Sequence, residues 1–359
     1  MSILREDYLI NGDNYSEFNV FGIKDYKRKE IKTITFLYMK EFPIDSYDLS
    51  SLRDGSIHGW VINNNLYIAS KEIIYAPCDA KYLFAGYSHL EEIHFNNFST
   101  SNTLNMEGMF ANTLLHGSLD LGCFNTAKVR NMASMFKNMY FVENINLSSF
   151  DTSQVVSMKE MFSGCSSLNN INLSHFSTKN VIDMSNMFSS SYGLKMLDLS
   201  GFDTSQVEDM SYMFSGCFDI EAIILDFDTS QVRNMDSMFY QCRSLKSLDL
   251  SSFNTVNVEN MAFMFCSCYT LKELDLSHFD TSCVVDMGKM FFRCVNLERV
   301  DVSHFDTHNV RDVTHMFDLC FNLHELDVSH FDLSQCQDSD YFYVDYSDLV
   351  TEEEDDIIN

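Results

Sequence analysis

The sequence predicts an α/β fold, a leucine-rich-repeat solenoid of about ten 26-residue units. Each unit is a strand followed by a short helix, with a parallel sheet on one face and helices on the other. Three observations lead there. The first is period: Phe-x-Thr recurs with Phe98, Phe124, Phe150, Phe176, Phe202, Phe227, Phe253, Phe279 and Phe305, each step 26 residues except for 25 between Phe202 and Phe227. The second is a parallel column of Met-Phe pairs, from Phe110 through Phe317, which Leu83-Phe84 extends backwards. The third is the pattern Leu168-x-x-Ile171-x-Leu173, whose last step has the period of 2 expected of a strand. Units this small cannot bury an apolar face alone, so neighbours must stack.

The elements follow in chain order. Residues 1–50 match no pattern and include the basic cluster Lys24, Lys27, Arg28, Lys29 and Lys32. Residues 51–78 read as a β-rich cap and residues 79–337 as the array. Within a unit, Val155, Met158, Met161, Phe162 and Cys165 are spaced as one stripe of a short helix. Thr152 and Ser153 are its expected N-caps and Gly164 its terminator. Where leucine-rich repeats usually carry Asn or Cys, this chain carries Phe150, Phe176, Phe202, Phe253, Phe279 and Phe305, expected to form a stacked spine. The missing residue before Phe227 predicts a local defect. Residues 338–359 read as an aromatic end cap, Tyr341 to Val344, and an acidic tail, Glu352 to Asp356.

Composition narrows the function. The chain has 359 residues, 45% hydrophobic, enough for a large core. Its 24 basic and 52 acidic side chains give a net charge of −28, which disfavours nucleic acid and suits a basic protein or a cation. Residues 1–80 carry 9 basic and 12 acidic side chains against 15 and 40 in the remainder, so the repeats and tail hold the charge. No run approaches the length of a membrane span, and the N-terminus lacks the basic start and apolar run of a signal peptide. No sequence motif of an enzyme is present, and no cofactor is implied.

Three columns are candidates for chemistry. Between the inward residues of each strand lies one outward residue: Asp120, Asn146, Asn172, Asp198, Ile224, Asp249, Asp275, Asp301 and Asp327. Stacked aspartates predict upward pKa shifts and coupled titration, relieved by a cation or a basic partner. Glu273, Arg299 and Glu325 beside them alternate in sign and predict pairs across strands. Cys165, Cys217, Cys242, Cys268, Cys294 and Cys320 share one position, read as an apolar plug or, alternatively, as disulfide or soft-metal partners. His175, His278, His304 and His330 precede spine phenylalanines, as exposed strand ends or a metal or pH site.

The phrase LDLSxFDTSxVxxMxxMFxxC resembles the BspA-type leucine-rich repeats of bacterial surface proteins, over residues 79–337. Asp54 to Trp60, Asn65 to Ala69 and Tyr82 to Gly86 resemble the β-rich segment preceding such arrays. The resemblance implies a non-enzymatic adhesin on the cell surface or secreted, binding a host or matrix protein. Eleven cysteines and no signal fit instead an intracellular scaffold or effector-type interaction protein. A third reading is a divalent-cation-dependent binder. On the first two, the sheet face is the contact: Asp198, Asp249, Asp275, Asp301, Asp327, Glu273, Arg299 and Glu325.

Overall fold

A computed structural model describes residues 1–5, 15–324 and 326–336. Its N-terminal strands are β1 (Ser2–Ile3), β2 (Asn19–Val20), β3 (Ile23–Lys27), β4 (Thr33–Tyr38), β5 (Tyr47–Asp48), β6 (Ile57–Ile62), β7 (Asn65–Ser70) and β8 (Ile74–Tyr75). The first repeat contributes β9 (Glu92–His94) and β10 (Phe98–Ser99). Alternate residues of β4 and of the first part of β7 are buried (Ile34, Phe36, Leu66, Ile68), as half-buried strands require. One five-stranded sheet runs β5-β6-β7-β4-β9, so β4, from the first 50 residues, lies between β7 and the first repeat. A second sheet, β1-β8-β10, joins module and repeat again.

Arg28 makes the third junction. It is fully buried, and its Nη1 donates to the carbonyls of Tyr82 (2.8 Å) and Ala85 (2.7 Å). One repeat later, the carbonyl equivalent to Ala85, that of Ala111, accepts the N–H of Gly86 at 2.9 Å. No repeat precedes residue 79, and the guanidinium supplies the donor that such a repeat would give. A buried carbonyl left without one costs about 1–3 kcal/mol.

From residue 79 the repeats stack in parallel. Single parallel bridges link Asp79, Asn105, Asn131, Ser157, Asp183, Asp209, Asn234, Asn260, Asp286 and Asp312 in succession. Among the described residues of the stack, longer pairs occur in three places. They join β11 (Gly117–Asp120) to β12 (Val142–Asn146), β13 (Met196–Asp198) to β14 (Ala222–Ile224), and β15 (Glu273–Leu274) to β16 (Arg299–Val300).

The predicted solenoid of strand-plus-helix units, with one continuous parallel sheet on a face and helices on the other, does not form. The described residues contain no α-helix; they fold as short strands in several small sheets, joined by turns. The segment expected to be helical is a chain of turns. Met161, Ser163 and Cys165 donate to the carbonyls three residues back, at 3.1, 3.0 and 3.2 Å. The N–H groups between them point at the neighbour: Met158, Glu160, Phe162 and Gly164 donate to Asp183, Ser185, Met187 and Ser189 at 3.1, 2.9, 2.9 and 2.7 Å. A helix would need all these donors for itself. Glu160 and Gly164 are left-handed, with φ of +55° and +73°, and the same two places are left-handed in every repeat from Ser134 and Asn138 to His315 and Leu319. A left-handed residue stops helical propagation, and its cost of roughly 1–2 kcal/mol is offset by the hydrogen bonds to the next repeat. Gly164 is therefore part of a turn, and a Cβ there would lie 2.5 Å from the Asn138 amide oxygen.

The core is one continuous cluster from Leu4 to Cys320. Its unbroken pile of rings is the Met-Phe column. Phe84, Phe110, Phe136, Phe162, Phe188, Phe214, Phe239, Phe265, Phe291 and Phe317 stack at 5.2–5.9 Å between centroids. The spine phenylalanines Phe150, Phe176, Phe202, Phe253, Phe279 and Phe305 are all buried, at 2–4% exposure. Phe124, Phe150 and Phe176 stack at 6.5 and 6.4 Å, and Phe227 on Phe253 at 6.3 Å. The one-residue deletion is absorbed in the corner before Phe227. The bridge from Asp209 to Asn234 and the stack of Phe214 on Phe239 (5.5 Å) continue past it.

Candidate functional site

Asp120, Asn146, Asn172, Asp198, Asp249, Asp275, Asp301 and Asp327 are all exposed, one per repeat, with exposed Ile224 interrupting the series. Each polar member accepts the backbone N–H two residues on, a side-chain turn that tolerates Asp and Asn alike. The distances are 3.0 Å for Asp120 and 3.1 Å for Asn146 and Asn172. Among the aspartates that follow, Asp198, Asp249, Asp275 and Asp327 accept at 3.0 Å and Asp301 at 2.9 Å. Ser200 and Ser329 add hydroxyl bonds to Asp198 and Asp327, both 2.7 Å. One oxygen, Oδ1, is thus fixed by the turn. The other, Oδ2, of Asp249, Asp275, Asp301 and Asp327 accepts no hydrogen bond among the described residues.

These bonds reverse the expected electrostatics. Asp198, Asp275, Asp301 and Asp327 are held below the ordinary aspartate value, first by the neighbouring Ser side chain and then by its N–H. Asp249 is lowered first by the Ser251 N–H. Repulsion from the next aspartate is a minor opposing influence on Asp249 and Asp275, because water screens groups this exposed. The upward shift comes elsewhere: burial raises Asp286, in the bridge column, with Asp312 adding to it. Beside the ladder, exposed Arg299 Nη2 meets Glu273 Oε1 at 2.5 Å, the pair expected across β15 and β16. Glu325 lies outside the described residues, as do the end cap and acidic tail read at 338–359.

Each histidine of the column is tied to the stack. His175, His278 and His330 place Nε2 2.9, 2.8 and 3.2 Å from the carbonyls of Leu147, Leu250 and Val302, and a carbonyl there requires Nε2 to donate. Their rings, and that of His304, stand edge-on to the following Phe at 4.9–5.2 Å. The column cysteines are buried donors. Cys165, Cys217, Cys242, Cys268, Cys294 and Cys320 each give a thiol hydrogen bond, 3.0–3.3 Å, to the Met-Phe carbonyl of the preceding repeat. Thr113 and Ser191 do the same with hydroxyls, at 2.8 and 2.7 Å, which explains why the position accepts them. Burial pushes Cys165, Cys217 and Cys320 up to about 12, so these thiols are inert near neutrality. All eleven cysteines are free, and no group of three His, Cys, Asp or Glu is placed to hold a metal among the described residues.

Thr152 is not a helix cap. Its buried hydroxyl donates to the Ser177 carbonyl (2.9 Å) and accepts the Ser177 N–H (2.8 Å) in the next repeat. Thr100, Thr126, Thr229 and Thr281 repeat both bonds. The invariant spacing of Phe-x-Thr was the available signal; the partner 25 residues away was not. No helix is long and apolar enough to cross a membrane among the described residues.

A family model described as "Mycoplasma protein of unknown function, DUF285" matches residues 78–197, 193–275 and 248–353. The chain belongs to the DUF285 family. The matched segments begin one residue before Asp79, where the bridge column opens, so the DUF285 repeat is the stacked turn unit and the β-module lies outside it. No curated protein matches the chain.

Proposed function

We propose that this DUF285 protein is a non-enzymatic protein-binding repeat protein whose contact surface is the aspartate ladder. One observation carries the reading: four consecutive repeats present exposed carboxylates, Asp249, Asp275, Asp301 and Asp327, each oriented by the same turn and each with Oδ2 open. A rigid row of oriented charges loses little side-chain entropy when a basic partner docks. The column cysteines are buried donors and the exposed column histidines His175, His278 and His330 are engaged by backbone carbonyls, which leaves that row as the chemically open column. The resemblance to BspA-type repeats favours adhesion to a host or matrix protein, with the chain on the cell surface.

Asn146 and Asn172 make the same turn bond as the aspartates, so Asp275→Asn, Asp301→Asn and Asp327→Asn remove charge without removing the turn. The full chain and this triple variant are compared as affinity baits against surface and matrix proteins. Partners retained by the wild type and lost by the variant are expected; identical capture by both sinks the ladder as the contact. Proteolysis of intact cells tests the location. A second reading, an intracellular scaffold, draws on the eleven free thiols, and protection of the protein in intact cells would select it.

A further inference from the structure

The turn arc of repeats 212–321 carries three cations seated on aromatic rings. Six lysines and arginines of the stack pair with a carboxylate: Lys81 with Glu107, Lys137 with Glu160, Arg233 with Glu259, Lys246 with Glu221, Lys272 with Glu298 and Arg299 with Glu273; Lys128, Arg130, Lys159, Lys179, Lys195 and Arg311 do not among the described residues. Arg243, Lys289 and Arg293 have no carboxylate partner among the described residues, in a chain with 52 acidic and 24 basic side chains. Aromatic rings hold them instead. The Arg243 guanidinium lies 4.2 Å from the Phe218 ring and 5.7 Å from Tyr269. Arg293 sits 5.7 Å from Tyr269, and Lys289 Nζ 5.2 Å from Phe263. Tyr192 stacks on Phe218 at 4.7 Å, continuing the strip. Two acids on this arc are already engaged: Asp236 by the hydroxyls of Ser237 (2.7 Å) and Tyr212, Asp318 by His315 (2.6 Å). The buried Nε of Arg243 has no acceptor.

We propose that this cation–aromatic arc docks the aspartate ladder of a second copy of the same chain. The proposal rests on the ladder being a binding surface, and it names a partner for it. The chemistry is complementary: carboxylates with Oδ2 open on one arc, unpaired cations on another. The ladder repeats with the stack, about 4.8 Å per unit, so neighbouring carboxylates form a row against which Arg243, Lys289 and Arg293 can dock together. Ring contacts position the cations before docking, which lowers the ordering cost. The net charge of −28 opposes association at long range. At physiological salt the Debye length is about 8 Å, so facing surfaces outweigh the distant charge. Because the two arcs differ, the contact is heterologous, and each docked copy leaves a free ladder and a free arc; assemblies grow open-ended rather than closing as dimers.

Sedimentation velocity on the full chain tests this. The average mass is expected to rise with concentration at about 50 mM salt and to fall towards that of one chain at about 0.5 M. Arg243→Glu/Arg293→Glu and, separately, Asp249→Asn/Asp275→Asn/Asp301→Asn are each expected to weaken association at least tenfold. Mixed in equal amounts, the two variants supply one intact arc and one intact ladder, and a 1:1 pair is expected that neither forms alone. Such rescue cannot come from unfolded protein. A single-chain mass for the wild type under all these conditions, salt-independent association, or a mixture that stays unpaired would each overturn the proposal. Loss of an external partner by the asparagine variant, alongside a wild type that never self-associates, would discard self-docking and keep the ladder.

Discussion

Replacing Thr152 by Val removes one hydroxyl and keeps the shape. The hydroxyl closes two bonds to Ser177, 2.9 Å to its carbonyl and 2.8 Å from its N–H. Thr152 is 1% exposed, so no water replaces it from its own side, whereas Ser177 is half-buried and recovers part of its solvation. Each orphaned group then costs about 1–2 kcal/mol, the lower part of the range for a buried unsatisfied group, and the pair about 2–4 kcal/mol. The expected readout is local: hydrogen exchange of the Ser177 amide accelerates by at least about 30-fold, with smaller changes farther from residue 152. Thr152→Ser retains the hydroxyl and loses a methyl, worth about 1 kcal/mol, and should leave the Ser177 amide protected. Amide exchange avoids assuming that so long an array unfolds in one step. Unchanged exchange at Ser177 in the valine variant would refute the claim that threonine clamps hold adjacent repeats together.

Thiol chemistry offers a second check: in the native protein a disulfide reagent should modify exposed Cys78, Cys123 and Cys283, while buried Cys165, Cys217, Cys242, Cys268 and Cys294 react only on unfolding. Cys217→Ser should be tolerated, because Ser191 donates from the same position, whereas Cys217→Val strands the Phe188 carbonyl at about 1–3 kcal/mol in chemical denaturation. Phe279→Ala, at a site 2% exposed, should cost about 3–5 kcal/mol in the same measurement; a loss under 1 kcal/mol would mean that the corner collapses around the gap. The melting temperature should fall with acid. Asp151, Asp198, Asp203, Asp275, Asp280, Asp301 and Asp327 are lowered in the folded state, so their stabilisation is present above the ordinary value of 3.8 and is lost as pH falls below it. Asp286 runs the other way: burial raises it, its charge costs stability near neutrality, and Asp286→Asn should raise the melting temperature at pH 7, since Asn234 and Asn260 make the same turn bond.

Much of the architecture was legible because it is written as period. The step of 26 implied stacking before any partner was visible, and alternation marked Asp249, Asp275, Asp301 and Asp327 as outward residues. The local conformation was not legible. Val155, Met158, Met161, Phe162 and Cys165 fit a helix stripe, yet a run of turns with left-handed breaks buries the same side chains equally well. Apolar spacing reports which side chains go inward and is silent on where the backbone hydrogen bonds go. The same limit misassigned Thr152, whose bonding partner lies 25 residues on rather than in its own turn.

By itself, then, the order of residues determined the repeat, the buried columns and the exposed acidic row, since burial follows from side-chain type and spacing. Tertiary contact decided the rest. Adjacent repeats capture the N–H groups of Met158, Glu160, Phe162 and Gly164, and that competition replaces helices by turns. Serine neighbours drawn into each turn lower the aspartates that isolated Coulomb reasoning would raise. Arg28, one cation in an unremarkable basic cluster, becomes the donor that finishes the first repeat, because only the folded chain brings it to the Ala85 carbonyl.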